Sequence, residues 1–160
     1  MKVGVISDTH NFLPSGVFEK FKDVNRILHA GDIASEDILI ELETIAPVIA
    51  VHGNSDFYPL TSKLPANKVI TLNGINFALV HSLGNRNNYL AILSKVHPSF
   101  KPDVVIYGHT HIKHYEKIFD IHFVNPGCAG NSRCPGQKTG AIIEWSSRED
   151  LKVDFVALTD

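Results

Sequence analysis

Five short apolar segments of this chain each end close to a polar residue that can bind a metal ion. The segments are KVGVIS, RILHAG, PVIAVHG, INFALV and DVVIYG. Their length and their content of Val, Ile and Leu favour buried β-strands. The polar residues that follow them are Asp8, His10, Asp32, Asn54, His81, His109 and His111. Seven nitrogen and oxygen ligands at matching strand ends are enough to hold two metal ions.

The first third of the chain alternates strand and helix patterns. The predicted elements are a strand over 2–7, a helix near 15–24, a strand over 26–30, a helix near 35–45 and a strand over 47–52. This βαβαβ order is typical of a parallel sheet, in which ligands bind beyond the carboxyl ends of the strands. We therefore expect Asp8, Asp32 and Asn54 to lie close together.

The second half is predicted to be mostly β-structure, with the topology turning antiparallel. In KVITLNGINFALV, Asn73-Gly74 predicts a tight turn between two strands. The later predictions are a helix near 87–97, a strand over 103–107, and two hairpins, 115–119 with 121–124 and 139–145 with 151–158. No repeat or linker separates the halves, so we expect one domain over residues 1–160, with two packed sheets and helices outside.

Composition excludes several classes of function. The formal net charge is −2 and the isoelectric point is near 6.5, so no overall basic field favours nucleic acid. No apolar stretch reaches the roughly 18 to 20 residues that span a bilayer, and no membrane partner is expected. Cys128 and Cys134 resemble neither a disulfide framework nor a zinc site, so we expect inert thiols and a cytoplasmic protein.

The chemistry of the motifs favours a shared metal centre. Gly31-Asp32 lets the backbone turn tightly while the carboxylate stays free to bridge two cations. Gly53-Asn54 repeats the arrangement with an amide, which can ligate a hard cation or donate an N–H to a phosphate. The two imidazoles of the GHTH segment, His109 and His111, are spaced to address neighbouring metals.

Asp8-Thr9-His10, Gly31-Asp32, Gly53-Asn54, His81 and GHTH together resemble the ordered signature of the calcineurin-like metallophosphoesterases, over nearly the whole chain. The length and the Asn-Pro-Gly run at 125–127 most resemble the small single-domain phosphodiesterase branch. The resemblance implies a four-layer α/β/β/α sandwich, an α/β fold with two mixed sheets and outer helices. It also implies two four-ligand sites that share Asp32. One site takes Asp8, His10, Asp32 and His111, and the other takes Asp32, Asn54, His81 and His109.

The resemblance further implies hydrolysis of a small phosphodiester by a metal-bound hydroxide, with Asp32, Asn54 and His81 as the catalytic residues. The cofactors would be two divalent ions, Mn²⁺ first, with Ni²⁺, Fe²⁺ or Zn²⁺ as alternatives. Many relatives have His or Cys where this chain has Ser55, a poor general acid, so acidic leaving groups should be favoured. The loop after His81 also departs from the family, because Ser82-Leu83 precedes Gly84.

Other functions of the same fold stay open at this point. They are a metal-binding or metal-free interaction scaffold resembling a retromer subunit, a phosphomonoesterase and a nucleotide pyrophosphatase. Homo-oligomerisation also stays open.

Residues outside the predicted site have plainer interpretations. His29 and His52 are predicted to be core or supporting residues, and His97, His114 and His122 surface or packing residues. Asp56 is predicted to form a turn or to support the ligands, and Arg133 to be solvated or to contact phosphate. We expect, with equal weight, that Phe12, Phe57 and Tyr58 line the wall of a pocket or that they only pack against neighbouring residues.

Overall fold

Two five-stranded sheets form the centre of the described part of the chain, residues 1–131, 134 and 136–159 of a computed structural model. The strands are β1 (Lys2–Ile6), β2 (Arg26–His29), β3 (Val48–Ala50), β4 (Asn67–Leu72), β5 (Ile75–Val80), β6 (Val104–Ile106), β7 (His114–Ile118), β8 (Ile121–Asn125), β9 (Thr139–Glu144) and β10 (Lys152–Ala157). The helices are α1 (Gly16–Lys20), α2 (Glu36–Glu43), α3 (Leu60–Lys63) and α4 (Arg86–Val96). No described helix is both long enough and apolar enough to cross a membrane.

The first sheet has the strand order β10-β9-β1-β2-β3. Strands β1, β2 and β3 are parallel, which confirms the βαβαβ prediction, and the β9–β10 hairpin adds two antiparallel strands beside β1. The second sheet has the order β4-β5-β6-β8-β7. Its central pairs, β5 with β6 and β6 with β8, are parallel, so the expectation of an antiparallel second half was wrong for the centre of this sheet. The reason is that α4 serves as a crossover between β5 and β6.

Three apolar layers hold the sheets and helices in the order α/β/β/α. Between the sheets, Val5 and Leu28 of the first sheet pack in one cluster with Phe77 and Ile106 of the second. A second cluster joins the outer face of the first sheet to α1, α2 and α3, and a third joins the outer face of the second sheet to α4. Burial of this apolar surface, at roughly 25 cal/mol per Å², is the main favourable term in folding. The predicted fold class is confirmed.

Several element boundaries differ from the sequence prediction. Helix α1 ends at Lys20 instead of continuing to 24, because Phe21 leaves the helical conformation and buries its ring beneath Gly4, where a side chain at position 4 would meet it at 2.7 Å. Strand β3 spans only Val48–Ala50, and the short helix α3 lies in a segment for which no helix is predicted. Helix α3 starts directly after Pro59, which fits the first turn of a helix because proline lacks a backbone N–H.

Candidate metal centre

The seven predicted ligands lie at one edge of the molecule, where the carboxyl ends of strands from both sheets meet. Asp8, Asp32 and Asn54 follow the neighbouring parallel strands β1, β2 and β3. From the second sheet, His81 follows β5, and the GHTH segment follows its parallel neighbour β6. Strand order alone thus brings residues far apart in sequence to one place.

Four of the ligands form one compact cluster. Asp8, His10, Asp32 and His111 each offer a ligand atom within 4.8 Å of the others. His111 Nε2 lies 3.1 Å from Asp8 Oδ1 and 3.3 Å from His10 Nε2. His10 Nε2 is 3.9 Å from both Asp8 Oδ1 and Asp32 Oδ2. Converging imidazole and carboxylate atoms of this kind suit a divalent transition-metal ion.

The other three ligands lie on the opposite side of Asp32. His81 Nε2 is 3.3 Å from Asp32 Oδ1, and its ring makes an edge contact with His109 at a centroid distance of 5.3 Å. His109 Nδ1 is 3.0 Å from Asn54 Oδ1. Asp32 therefore turns Oδ1 toward His81 and Oδ2 toward His10, so that its two oxygens face the two groups of ligands.

Hydrogen bonds fix the direction in which each buried ligand points. Asp8 Oδ2 accepts the Ser7 hydroxyl at 2.6 Å and the His109 backbone N–H at 3.1 Å, which leaves Oδ1 facing the cluster. Asp32 Oδ1 accepts the Ser55 backbone N–H at 2.8 Å. His81 Nδ1 donates to the Ala30 carbonyl at 2.8 Å, so Nε2 carries the free lone pair. Such outer hydrogen bonds orient metal ligands and set the histidine tautomer.

Two buried ligand atoms have no hydrogen-bond partner. They are Asp8 Oδ1 and His81 Nε2, on side chains 0% and 4% exposed. An unpartnered polar atom in the interior typically costs about 1–3 kcal/mol, so a native structure normally satisfies such atoms. Divalent cations, one beside each atom, would satisfy them, and a donor set of carboxylate, imidazole and amide without sulfur suits Mn²⁺, Fe²⁺, Ni²⁺ or Zn²⁺. The residues present therefore fit the metal ions implied by the sequence.

Backbone strain is also concentrated at this edge. Five of the seven ligands have a positive φ, and these are Asp8, His10, Asp32, His109 and His111, with values between 46° and 71°. Residues with a side chain rarely adopt this conformation, although Asp, Asn and His tolerate it best. Strain of this kind costs on the order of 1 kcal/mol or more per residue and clusters at functional sites.

The charges of the ligands are coupled. Burial raises the pKa of the Asp8 carboxyl. Burial also opposes charge on Asp32, but the neighbouring His81 ring and the Ser55 backbone N–H outweigh it and hold the pKa of Asp32 below its usual value. For His81, burial favours the neutral ring, whereas the nearby Asp32 carboxylate and the bond to the Ala30 carbonyl raise its pKa.

Asp56 joins two of the ligand loops. Its Oδ1 accepts the backbone N–H groups of Ile33 and Ala34 at 2.8 and 2.7 Å, and its Oδ2 accepts that of Gly53 at 2.8 Å. The loop that carries Asp32 is therefore tied to the loop that carries Asn54. This agrees with the prediction of a turn-forming or supporting residue, but the sequence did not show that one carboxylate serves both loops.

His29 and Asn125 support two further ligand segments. His29 is fully buried, accepts the Gly31 N–H on Nδ1 at 3.1 Å, and therefore donates from Nε2 to the Thr9 hydroxyl at 3.1 Å. Burial lowers the pKa of His29 to about 3 and keeps the ring neutral. The Asn125 amide donates to the Gly108 carbonyl at 2.9 Å and to the Thr110 hydroxyl at 3.0 Å. The sequence indicated Asn125 only as part of an Asn-Pro-Gly run, without this contact to the GHTH segment.

The remaining histidines have structural surroundings, as predicted. His97 and His114 are exposed, and His114 Nδ1 lies 2.8 Å from the Tyr107 hydroxyl. His122 is buried against Tyr115. His52 is half-buried, with Nδ1 3.3 Å from the Gly53 carbonyl oxygen.

Of the three aromatic residues near the ligand loops, two line a pocket and one packs against a lysine. Phe57 and Tyr58 are 77% and 84% exposed and line a pocket of about 340 Å³ at the start of α2. The Phe12 ring packs beneath the Lys138 ammonium, 4.3 Å from the ring centroid.

The cysteine prediction was wrong. Cys128 and Cys134 are joined in a disulfide, with Cα atoms 5.5 Å apart, within the usual range for such bonds. Two isolated cysteines six residues apart give little sign in a sequence of such a pairing. Arg133 lies outside the described residues.

Comparison with known proteins gives a consistent family match. Residues 1–148 match the family model described as the calcineurin-like phosphoesterase superfamily domain. A protein of Methanocaldococcus jannaschii named "Probable metallophosphoesterase" is 37% identical over 170 residues, which cover 100% of this chain and 83% of that protein. A phosphodiesterase of the same organism is 31% identical over 169 residues, covering 93% of this chain and 96% of that protein.

Solved structures show the same architecture. An archaeal phosphodiesterase superposes with a TM-score of 0.78 at 27% identity and covers 99% of this chain and 100% of its own. Vps29 of Entamoeba histolytica complexed with Zn²⁺ superposes with a TM-score of 0.75 at 22% identity, covering 99% of this chain and 100% of its own. At that identity the second likeness concerns the fold alone.

Proposed function

We propose, from the premise that this chain belongs to the calcineurin-like phosphoesterase superfamily, that it is a metal-dependent phosphodiesterase with a dinuclear centre. The observation that carries the proposal is the placement of Asp32. One of its oxygens faces the Asp8–His10–His111 group, and the other faces His81. An enzyme that binds two ions side by side needs a ligand shared between them, and a carboxylate can serve as that ligand.

The first ion would be held by Asp8, His10, Asp32 and His111, and the second by Asp32, Asn54, His81 and His109. Mn²⁺ is the preferred identity, and Ni²⁺, Fe²⁺ and Zn²⁺ suit the same donors. When bound in such a pair, divalent ions activate a water molecule as the nucleophile and neutralise charge on the phosphoryl oxygens. The protein then needs no nucleophilic side chain of its own.

The residues at the mouth of the site would position the substrate. Asn54 and His109 are exposed, whereas Asp8, Asp32 and His81 are buried beneath them. An approaching phosphoryl group would therefore meet the Asn54 and His109 side chains first. The amide of Asn54 has N–H donors that suit a phosphate oxygen.

Two observations bear on the substrate: the names of two similar proteins support a diester, and Ser55 limits its leaving group. A relative at 31% identity and a structural neighbour at 27% identity are named phosphodiesterases. Ser55, which follows Asn54, cannot act as an effective general acid, so substrates whose leaving group needs no protonation should react fastest.

The test is hydrolysis of bis(p-nitrophenyl) phosphate by purified protein loaded with Mn²⁺ or Ni²⁺. A panel on the same preparation would add p-nitrophenyl phosphate and a nucleotide pyrophosphate, with Asp8→Asn as the inactive control. We expect the diester to react fastest and Asp8→Asn to lose at least about 100-fold in kcat/KM. Faster cleavage of the monoester or the pyrophosphate would reassign the substrate, and no hydrolysis of any substrate would contradict the proposal.

The second candidate function is a protein-interaction scaffold, which the superposition on Vps29 favours. A scaffold would have no need for two buried ligand atoms without partners, so the enzyme is preferred. Elemental analysis separates the enzyme from a metal-free scaffold, and hydrolysis of the diester separates it from a scaffold that binds metal. A chain that binds no metal, and whose partner binding is unchanged by His81→Ala, would be a scaffold.

A further inference from the structure

A cleft of about 610 Å³ opens directly beside the candidate metal centre. One wall is segment 82–87, which follows His81, and the other is segment 107–110, which includes His109. The cleft thus shares His109 with the ligand set and begins where that set ends. Its volume lies within the range of about 300–1,000 Å³ that is usual for small-molecule sites.

The charged group in the cleft is already compensated. Arg86 lines the wall and forms an ion pair with Glu116 of β7, while its guanidinium lies 5.7 Å from the centroid of the Phe123 ring. An arginine held by a carboxylate and an aromatic ring is fixed in place and contributes little net charge. The cleft therefore does not favour a second phosphate over a neutral group.

The rest of the lining is rich in neutral hydrogen-bonding groups. Ser82, Asn87 and Thr110 present hydroxyl and amide groups, and the Tyr107 hydroxyl is held by His114 at 2.8 Å. Asn85 is already engaged, because its side chain accepts the backbone N–H groups at the start of α4. Groups of this kind recognise hydroxyl and amide groups of a ligand, while Leu83 in the same lining suits its carbon atoms.

We infer that this cleft is the subsite for one ester group of the substrate, and that it selects a neutral, hydroxyl-bearing group of up to nucleoside size. The inference rests on the proposed function, since it concerns the part of a diester that does not react. Asn87 and Arg86 are the specificity-determining residues. Asn87 supplies an amide at the exposed side of the cleft, and Arg86, held by Glu116, supplies the wall.

The test compares three diesters with the same leaving group: the p-nitrophenyl phosphates of thymidine (linked at its 5′ position), glycerol and methanol. Because p-nitrophenolate leaves in each case, rate differences report the second ester group. We expect the metal-loaded protein to prefer the thymidine or the glyceryl ester over the methyl ester by about tenfold or more in kcat/KM. A preference for thymidine identifies a nucleoside, and a preference for glyceryl alone identifies a smaller polyol. A wild-type preference below about twofold would overturn the inference.

Asn87→Leu is the main variant, because position 87 is exposed and leucine is a good helix former. It should lower the preference about three- to tenfold, the effect of one lost hydrogen bond. Asn88→Leu is the matched control: the neighbouring residue on α4 lines a different, apolar groove, so the preference should stay within about twofold. Arg86→Met should lower the preference as well. An unchanged preference in both Asn87→Leu and Arg86→Met would also overturn the inference.

A binding measurement tests the subsite independently of hydrolysis. If none of the three esters is hydrolysed, the proposed function fails, and a titration with thymidine 5′-monophosphate followed by amide chemical shifts decides on the cleft. Shifts confined to segments 82–87 and 107–110 would support a binding site there. No shift in either segment would overturn it.

Discussion

Replacing Asp56 by Asn tests whether the site is built by its supporting loops as well as by its ligands. The carboxylate of Asp56 accepts three backbone N–H groups at 2.7–2.8 Å, two on Oδ1 and one on Oδ2. An Asn side chain has one acceptor oxygen and an NH₂ group, so in either orientation it loses at least one of these bonds and places a donor against a donor. The side chain is only 4% exposed, so water cannot easily replace the lost acceptor.

The expected cost can be worked out from these contacts. Hydrogen bonds to a charged group contribute about 1.5–3 kcal/mol each, and a buried donor without a partner costs about 1–3 kcal/mol. Asp56→Asn should therefore lower the free energy of unfolding by about 2–4 kcal/mol, a large share of the roughly 5–15 kcal/mol typical of a domain. Because the Asp56 bonds need no metal ion, the loss should persist in EDTA.

Urea unfolding in EDTA, followed by the fluorescence of the buried Trp145, measures this cost. Asp154→Asn, at an exposed position on β10, is the control and should change the free energy of unfolding by less than about 0.5 kcal/mol. If Asp56→Asn costs less than about 1 kcal/mol, or destabilises only when metal is present, the account of Asp56 as a tie between two loops is refuted.

Three further predictions concern the same edge of the sheets. His29 stays neutral in the folded chain, with a pKa of about 3, whereas in the unfolded chain it takes up a proton near pH 6.5, so stability falls as the pH drops through 6.5. When the pH falls from about 7.5 to about 5.5, the free energy of unfolding of the wild type, measured by urea unfolding in EDTA, should drop by about 1.4 kcal/mol more than that of His29→Gln. Equal drops in the two proteins would contradict this. A Cβ at Gly53 would collide with the Asp32 carboxylate, so Gly53→Ala should lower kcat/KM about 100-fold or more, and a fall of less than about threefold would argue against that placement. With Ser55 beside the site, rates for a series of aryl diesters should fall steeply as the leaving-group pKa rises, and Ser55→His should flatten the dependence; a flat wild-type series would show that another group protonates the leaving group.

The sequence predicted where the candidate ligands lie, because strand ends are easy to locate. An apolar segment followed by Gly-Asp or Gly-Asn places its polar residue at the edge of a parallel sheet, whatever the details of packing, and this holds for Asp32 and Asn54. The alternation of strand and helix patterns likewise predicted the order of β1, β2 and β3.

The supporting contacts could not be predicted in this way. Asp56 contacts Ile33 across 23 residues of sequence, and its role depends on how two loops approach each other. The positive φ values of the candidate ligands and the close approach of Cys128 to Cys134 depend on tertiary packing. The end of α1 depends on where the Phe21 ring finds space over Gly4. Local propensity carries no information about any of these contacts.

The number of metal ions bound per chain is the direct test of Asp32 as a ligand shared by two ions. The wild type, stripped with EDTA and reloaded with Mn²⁺, should bind two ions per chain by elemental analysis, and its activity on bis(p-nitrophenyl) phosphate should rise until the second ion is bound. Asp32→Asn should bind fewer than two ions under the same conditions, because the shared ligand is weakened. A wild type that binds a single ion at full activity, or none, would contradict the assignment of Asp32 as the residue common to two metal sites.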